Sequence, residues 1–114
     1  MAVVRTVIVT ISPMLSDILV TLLGDHTTLE VVATFDTRHN LEESLRAIVP
    51  DVILIGLGRN ESDEIGHSCS TLLPTAKVIA FSNDGRNAFV HINAQRTVLL
   101  DVSAQMLTTT VLRV

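Results

Sequence analysis

The chain has 114 residues, 47% of them apolar and only 3% aromatic, which fits a single domain spanning 1–114 with an aliphatic core. Its formal net charge of −4, without a basic cluster, argues against binding of DNA, RNA or an anionic membrane by this domain. A single cysteine excludes an internal disulfide. The sequence also lacks an apolar run of membrane-spanning length and a signal-peptide pattern, so we expect a cytoplasmic domain.

The N-terminal part of the chain predicts a strand followed by an amphipathic helix. Thr6–Ile11 is rich in β-branched residues and predicts the strand. Ser12 suits the N-cap of the helix, Pro13 suits its first position, and Gly24 ends it. Apolar residues follow at helical spacing: Leu15, Ile18, Leu19, Leu22 and Leu23.

A second strand and a second helix come next. Leu29–Phe35 predicts the strand, and the charge on Glu30 favours a position at the sheet edge. Asp36, Thr37 and Asn40 can each cap the helix, and Asn40 has capping-box spacing with Glu43. Pro50 ends the helix. The apolar stripe of this helix consists of Leu41, Leu45, Ile48 and Val49.

The stretch from Pro50 to Gly56 predicts the central strand. Its branched apolar run, Val52–Ile55, lies between a proline and a glycine, which is typical of a strand buried on both faces. Such strands belong to parallel sheets covered by helices, where ligands gather at the carboxyl ends of the strands. We therefore look for function first at Gly56.

The second half of the chain continues the alternation of strands and helices. A polar loop, Gly58–Asp63, precedes a weaker helical stripe, and Lys77–Phe81 predicts a fourth strand. Asn87–Ala94 is interpreted as a short helix, Thr97–Leu100 as a fifth strand, and Ser103 as the cap of a last helix. The weaker stripe consists of Ile65, Cys69, Leu72 and Leu73.

These elements form five strand–helix units, which predicts an α/β fold. Because strand–helix–strand crossovers are right-handed, we expect a three-layer, doubly wound, five-stranded parallel sheet with helices on both faces. For five strands the flavodoxin-like order 2-1-3-4-5 is the natural choice.

With these segments in place, the whole chain resembles a response-regulator receiver domain. The resemblance lies in the order and spacing of five segments rather than in any one of them. The Ser-Pro after the first strand and the Pro-Asp before the third are similar to the LuxR/NarL type of transcriptional regulator, whose receivers precede a helix-turn-helix domain. The segments are Val7–Pro13, Leu29–Ala33, Pro50–Ile55, Lys77–Ser82 and Val98–Leu100.

The resemblance also locates the residues that a receiver uses for phosphorylation. The acidic pair that holds Mg²⁺ falls on Thr10 and Ile11, and the aspartate that accepts the phosphoryl group falls on Gly56. The hydroxyl position falls on Ser82 and matches, whereas the lysine falls on Asp101. Mg²⁺ needs anionic oxygen ligands and glycine cannot be phosphorylated, so the resemblance implies a degenerate pocket: a pseudo-receiver without metal, cofactor or enzymatic activity.

Nearby carboxylates offer one alternative. Glu61, Asp63 and Glu64 follow Gly56, and a displaced acid among them could accept phosphate; we interpret them instead as a solvated helix start. Asp101 is interpreted as a solvated strand end or a cap for the last helix, with a hydrogen bond to Ser82 as the alternative.

Other chemistry-bearing residues are interpreted as structural. The histidines have no metal-ligand spacing and are taken as isolated residues: His26, His39, His67 and His91. Cys69 lies on an apolar stripe and is expected in the core. A flavin or nucleotide enzyme is disfavoured because no glycine lies between Thr6 and Leu23 to form a phosphate loop.

The leading hypothesis is a phosphorylation-independent receiver of a signalling or transcriptional regulator. It would act by protein–protein contact, with self-association. The resemblance implies a contact surface formed either by the fourth helix, fifth strand and fifth helix or by the first and fifth helices. Candidates on the former surface are Phe89, Arg96 and Arg113, although Phe89 is interpreted instead as a core residue. DNA would be bound only through a further C-terminal domain.

The second hypothesis is a small-molecule sensor. Its pocket would be lined by Ile11, Gly56, Leu57 and Ser82, and ligand occupancy would replace phosphorylation.

Overall fold

The computed structural model describes residues 4–9, 29–35, 37, 39–82, 86–92 and 95–100. Neither helix in these ranges is long and apolar enough to cross a bilayer. The predicted first and last helices lie outside the described residues. The described part of the chain contains the strands β1 (Val4–Val9), β2 (Leu29–Phe35), β3 (Val52–Gly56), β4 (Lys77–Phe81), β5 (Ala88–Ile92) and β6 (Gln95–Leu99), and the helices α1 (Leu41–Ile48) and α2 (Glu64–Leu72).

The strands form one mixed sheet in the order β2-β1-β3-β4-β5-β6. The first four strands are parallel and in the predicted order, which confirms an α/β architecture. The edge position of β2, which carries the exposed Glu30, is also confirmed.

The core consists of two apolar layers, one on each face of the sheet. Val52–Ile55 of β3 are fully buried, so this strand is covered on both faces as its sequence predicts. We call the face of the sheet that α1 and α2 cover the helix-side face. Strand residues on this face pack against Leu41, Leu45 and Cys69 of the helices. The strand residues are Val7, Val9, Ile53, Ile55, Val78 and Ala80. The opposite face, here called the far face, carries Ile8, Val52, Leu54, Ile79, Phe81, Ala88 and Val90.

The interpretation of Asn87–Ala94 as a helix is wrong. The segment forms β5, which pairs antiparallel with β4, and its side chains alternate between the two faces of the sheet. Phe89 and Val90 are good strand formers, and an Asn-Asp-Gly sequence at 83–85 is a hairpin signal that the helical interpretation overlooked. The helical interpretation failed because a segment of this length is too short for its periodicity to decide.

The extra strand moves the predicted fifth strand outward. Thr97–Leu100 corresponds to β6, which begins at Gln95 and pairs antiparallel with β5. Ile92 lies opposite Gln95, so only two residues connect the strands. β6 therefore runs in the direction of the first four strands, but β5 separates it from β4. Since neighbouring strands lie about 4.8 Å apart, β6 is about 10 Å from β4.

Asp51 aligns the amino ends of three strands. Its backbone N–H donates to the Arg5 carbonyl (2.8 Å), and its carboxylate accepts from the Arg5 N–H (2.9 Å). Its carbonyl accepts from the N–H of Lys77 in β4 (2.9 Å). The Arg5 guanidinium also donates to the carbonyl of Ile48 at the end of α1 (2.7 Å). The Pro-Asp sequence before β3 thus has a structural role.

The two ends of α1 depart from the sequence prediction. Asn40 has a left-handed backbone (φ 56°) and makes no side-chain capping hydrogen bond, so the predicted capping box is wrong. Val49 lies outside the helix and is 54% exposed, so it does not belong to the apolar stripe. Its φ of 49° is unfavourable for a β-branched side chain. The remaining stripe residues, Leu41, Leu45 and Ile48, pack against the sheet as predicted.

We expect Val49→Asn to stabilise the domain by about 1 kcal/mol, because asparagine tolerates the left-handed conformation that costs a valine about 1–2 kcal/mol. The matched control is Ala47→Asn, which places the same side chain at an exposed position within α1 and should destabilise by about 0.5 kcal/mol. Urea denaturation measures both changes. Equal destabilisation by the two variants would contradict the left-handed assignment.

Candidate functional site

The carboxyl end of β3 is where the resemblance places the phosphoryl acceptor. Gly56 pairs with Phe81 of β4, and the following N–H, of Leu57, donates to the Phe81 carbonyl (2.9 Å). Gly56 and Ser82 therefore lie at the same edge of the sheet. Thr10, Ile11 and Asp101 lie outside the described residues, so the degenerate pocket as a whole stays a prediction.

Ser82 has a structural role in the β4–β5 connection. Its hydroxyl accepts from the Asn87 N–H (3.1 Å), and its own N–H donates to the Asn87 carbonyl (2.9 Å). These two bonds close the hairpin that begins after β4. The residue at the hydroxyl position thus holds the start of β5 in place.

A buried carboxylate joins α2 to the β5–β6 hairpin. Asp63, the residue before α2, has a side chain that is only 8% exposed, and its Oδ2 accepts from His91 Nε2 (2.6 Å) and Arg96 Nε (3.0 Å). A carboxylate can only accept, so His91 carries a proton on Nε2 in this arrangement. The interpretation as a solvated helix start is wrong for Asp63, although Glu64 is exposed as expected.

His91 is likewise not an isolated residue. It is 3% exposed on the helix-side face of β5, directly opposite Arg96, and the ring of His67 lies 6.5 Å away. Gly66 makes this packing possible, because a Cβ there would lie 2.6 Å from Asp63 Oδ1 and 2.9 Å from His91 Nε2. We call Asp63, His91 and Arg96 the carboxylate cluster.

No local sequence signal could have revealed the carboxylate cluster. Asp63 and His91 are 28 residues apart, and their contact depends on the hairpin that the helical interpretation missed. Within the described ranges no group of three His, Cys, Asp or Glu side chains is suited to hold a metal ion. The cluster therefore acts as a structural link between helix and hairpin.

Two of the three residues predicted for a partner face lie together. The Arg96 guanidinium stacks over the Phe89 ring at 4.6 Å, on the helix-side face of the hairpin. Phe89 also packs against the core, while Arg96 is half exposed. Arg113 lies outside the described residues. Whether this face contacts a partner stays a prediction.

A cleft of about 440 Å³ lies between α1 and α2 on the helix-side face. The sensor hypothesis placed its pocket elsewhere, at the carboxyl ends of the strands. Of the residues it named, Leu57 is buried in the core and Gly56 is partly buried. Cys69 packs in the core, as expected, and also lines the cleft between the helices.

We expect Gly66→Ala to destabilise the domain by about 1–2 kcal/mol. Alanine stabilises a helix by about 1 kcal/mol relative to glycine. Overpacking against the buried Asp63 and His91 costs about 1–3 kcal/mol, and it also strains the hydrogen bond between them. Gly58→Ala is the control, because its Cβ meets only ordinary contacts at 3.5 Å and stability should change by less than about 0.5 kcal/mol. Chemical denaturation measures both, and a more stable Gly66→Ala variant would contradict this packing.

Comparison with known proteins identifies the fold. No family model matches the chain, and no curated protein matches it. A solved structure, the signal receiver domain of a response regulator named NarL from Mycobacterium tuberculosis, matches with a TM-score of 0.59 and 20% identity. The match covers 72% of this chain and 68% of that one. The chain thus has the fold of a response-regulator receiver domain.

Proposed function

We propose that this chain is a phosphorylation-independent receiver-fold domain of a signalling or transcriptional regulator, acting without catalysis or cofactor through contact with another protein. The observation that carries the proposal is Gly56 at the carboxyl end of β3, where a receiver requires a carboxylate. Glycine has no side chain that could accept a phosphoryl group.

Two of the three nearby carboxylates support the same conclusion because they already have structural partners. Asp63 accepts hydrogen bonds from His91 and Arg96, and Glu61 accepts from the Gly58 N–H at 2.6 Å. A phosphoryl acceptor needs a free carboxylate next to the metal and the donor. Recruiting Asp63 would break a buried charge cluster, which is costly.

The strand β6 offers a surface for protein contact. Among the described strands it is the outermost, and its residues from Gln95 to Val98 are exposed. Val98 and Leu100 are 43% and 67% exposed, and Arg96 is the only charged residue of the strand. Exposed edge strands without several charges are templates for pairing with another strand.

A second copy can supply its own β6 in a two-fold symmetric, antiparallel arrangement. Any DNA binding would come from a separate C-terminal domain.

The absence of phospho-acceptance is tested by incubating the protein with acetyl phosphate and Mg²⁺, followed by intact-mass measurement. We expect no gain of a phosphoryl group, because β3 ends in glycine and Asp63 already accepts hydrogen bonds from His91 and Arg96. A receiver with an intact acceptor aspartate, treated in parallel, serves as the positive control. A stable phosphorylated species of this chain would overturn the proposal.

Self-association is tested by sedimentation over a concentration series with Val98→Lys. Lysine on β6 should raise the dissociation constant of a dimer at least tenfold, because strand pairing would remove the lysine charge from water. A tenfold change corresponds to about 1.4 kcal/mol of association free energy. Thr34→Lys, exposed on the opposite edge strand β2, is the matched control and should leave association unchanged. A wild-type chain that stays monomeric, or equal weakening by both variants, would contradict self-association through β6.

A further inference from the structure

The cleft between α1 and α2 has the properties of a ligand site that the proposed function does not use. Its volume of about 440 Å³ falls at the small end of the range of about 300–1,000 Å³ that is typical of small-molecule pockets. It lies between the two helices, and its described lining includes neither Gly56 nor Ser82. The described residues that line it are Asn40, Leu41, Glu42, Glu43, Leu45, Ile65, Ser68, Cys69 and Leu72.

Five of the nine described residues that line the cleft are apolar. Leu41, Leu45 and Cys69 are buried at its base, while Ile65 and Leu72 are only partly buried along the α2 wall. These residues recur at helical spacing on the two facing helices, a pattern that normally packs one helix against another. Here the apolar faces leave a cleft, so an aliphatic group entering it would remove Ile65 and Leu72 from water.

The mouth of the cleft is negatively charged. Glu42 and Glu43 line it and are exposed, and the described lining residues include no lysine or arginine. The amino end of α1 contributes about half a positive charge, against two full negative charges from the carboxylates. Among the described residues that line the cleft, the carboxylates therefore outweigh the helix end. Asn40 adds a side-chain amide that makes no capping hydrogen bond.

From these properties we propose that the cleft binds a small organic cation with an aliphatic chain, such as a primary alkylamine. The chain lies between Leu45 of α1 and the α2 residues Ile65 and Leu72, and the ammonium lies at Glu42 and Glu43. The apolar interior supplies affinity, and the carboxylates supply selectivity for a cation over an anion of the same length. This proposal is independent of self-association through β6.

The test compares three probes that share one chain and differ in head group: hexylammonium, hexan-1-ol and hexanoate. Binding is followed by NMR of methyl-labelled Leu and Ile residues, with the far-face Leu54 methyls as internal reference. We expect saturable shifts of the Leu45, Ile65 and Leu72 methyls with hexylammonium. Hexanoate should bind at least tenfold more weakly, and hexan-1-ol should be intermediate.

Two variants separate the contributions of charge and shape. Glu42→Gln with Glu43→Gln should reduce the preference for hexylammonium over hexanoate to less than about threefold, because the carboxylates supply the selectivity. Glu30→Gln, on the distant edge strand β2, removes one charge without touching the cleft and should leave the preference unchanged. Ser68→Phe places a ring in the cleft from an exposed position on α2 and should weaken binding of all three probes.

Three results would overturn the proposal. The first is equal binding of the three probes, which would show adsorption by the aliphatic chain alone. The second is no saturable shift with any probe. The third is binding of a basic amphipathic helical peptide without binding of hexylammonium, which would assign the cleft to a protein partner.

Discussion

The position of the β5–β6 hairpin depends on one buried carboxylate. Asp63 accepts hydrogen bonds from His91 on β5 and Arg96 on β6, so a residue before α2 links that helix to both strands of the hairpin. Hydrogen bonds to a charged group contribute about 1.5–3 kcal/mol each when they are shielded from water, although the half-exposed Arg96 contributes less. Gly66 belongs to the same arrangement, because only a residue without a side chain lets His91 approach the helix.

The hairpin changes what a receiver fold can do at this end of the sheet. β5 occupies the position next to β4, and β6, which precedes Asp101, lies one strand farther out. Ser82, the residue that matches the phosphorylation pattern, closes the connection between β4 and β5 through Asn87. Within the described part of the sheet, β3 therefore ends in Gly56 and β6 forms the outermost strand beyond β5.

The sequence predicted the elements whose signals are local. β2 and β4 have the predicted boundaries. Val52–Ile55 is buried, as its consecutive branched apolar residues indicated. β5 was missed because the segment is too short for its periodicity to decide and the Asn-Asp-Gly signal before it was overlooked. The Asp63–His91 contact depends on that pairing, so no local pattern could have predicted it. The capping box failed because the left-handed backbone of Asn40 directs its side chain away from the helix amides.

Alignment of the parallel strands is established far from the end that receivers use for chemistry. Arg5, Asp51 and Lys77 connect β1, β3 and β4 through backbone and carboxylate hydrogen bonds at the opposite, amino end of the sheet. The register of β1 with β3 and of β3 with β4 is continuous along the paired residues. The contacts that align these strands and the position that the resemblance assigns to phosphorylation therefore lie at opposite ends of β3. A change of side chain at Gly56 would leave the aligning contacts at Asp51 in place.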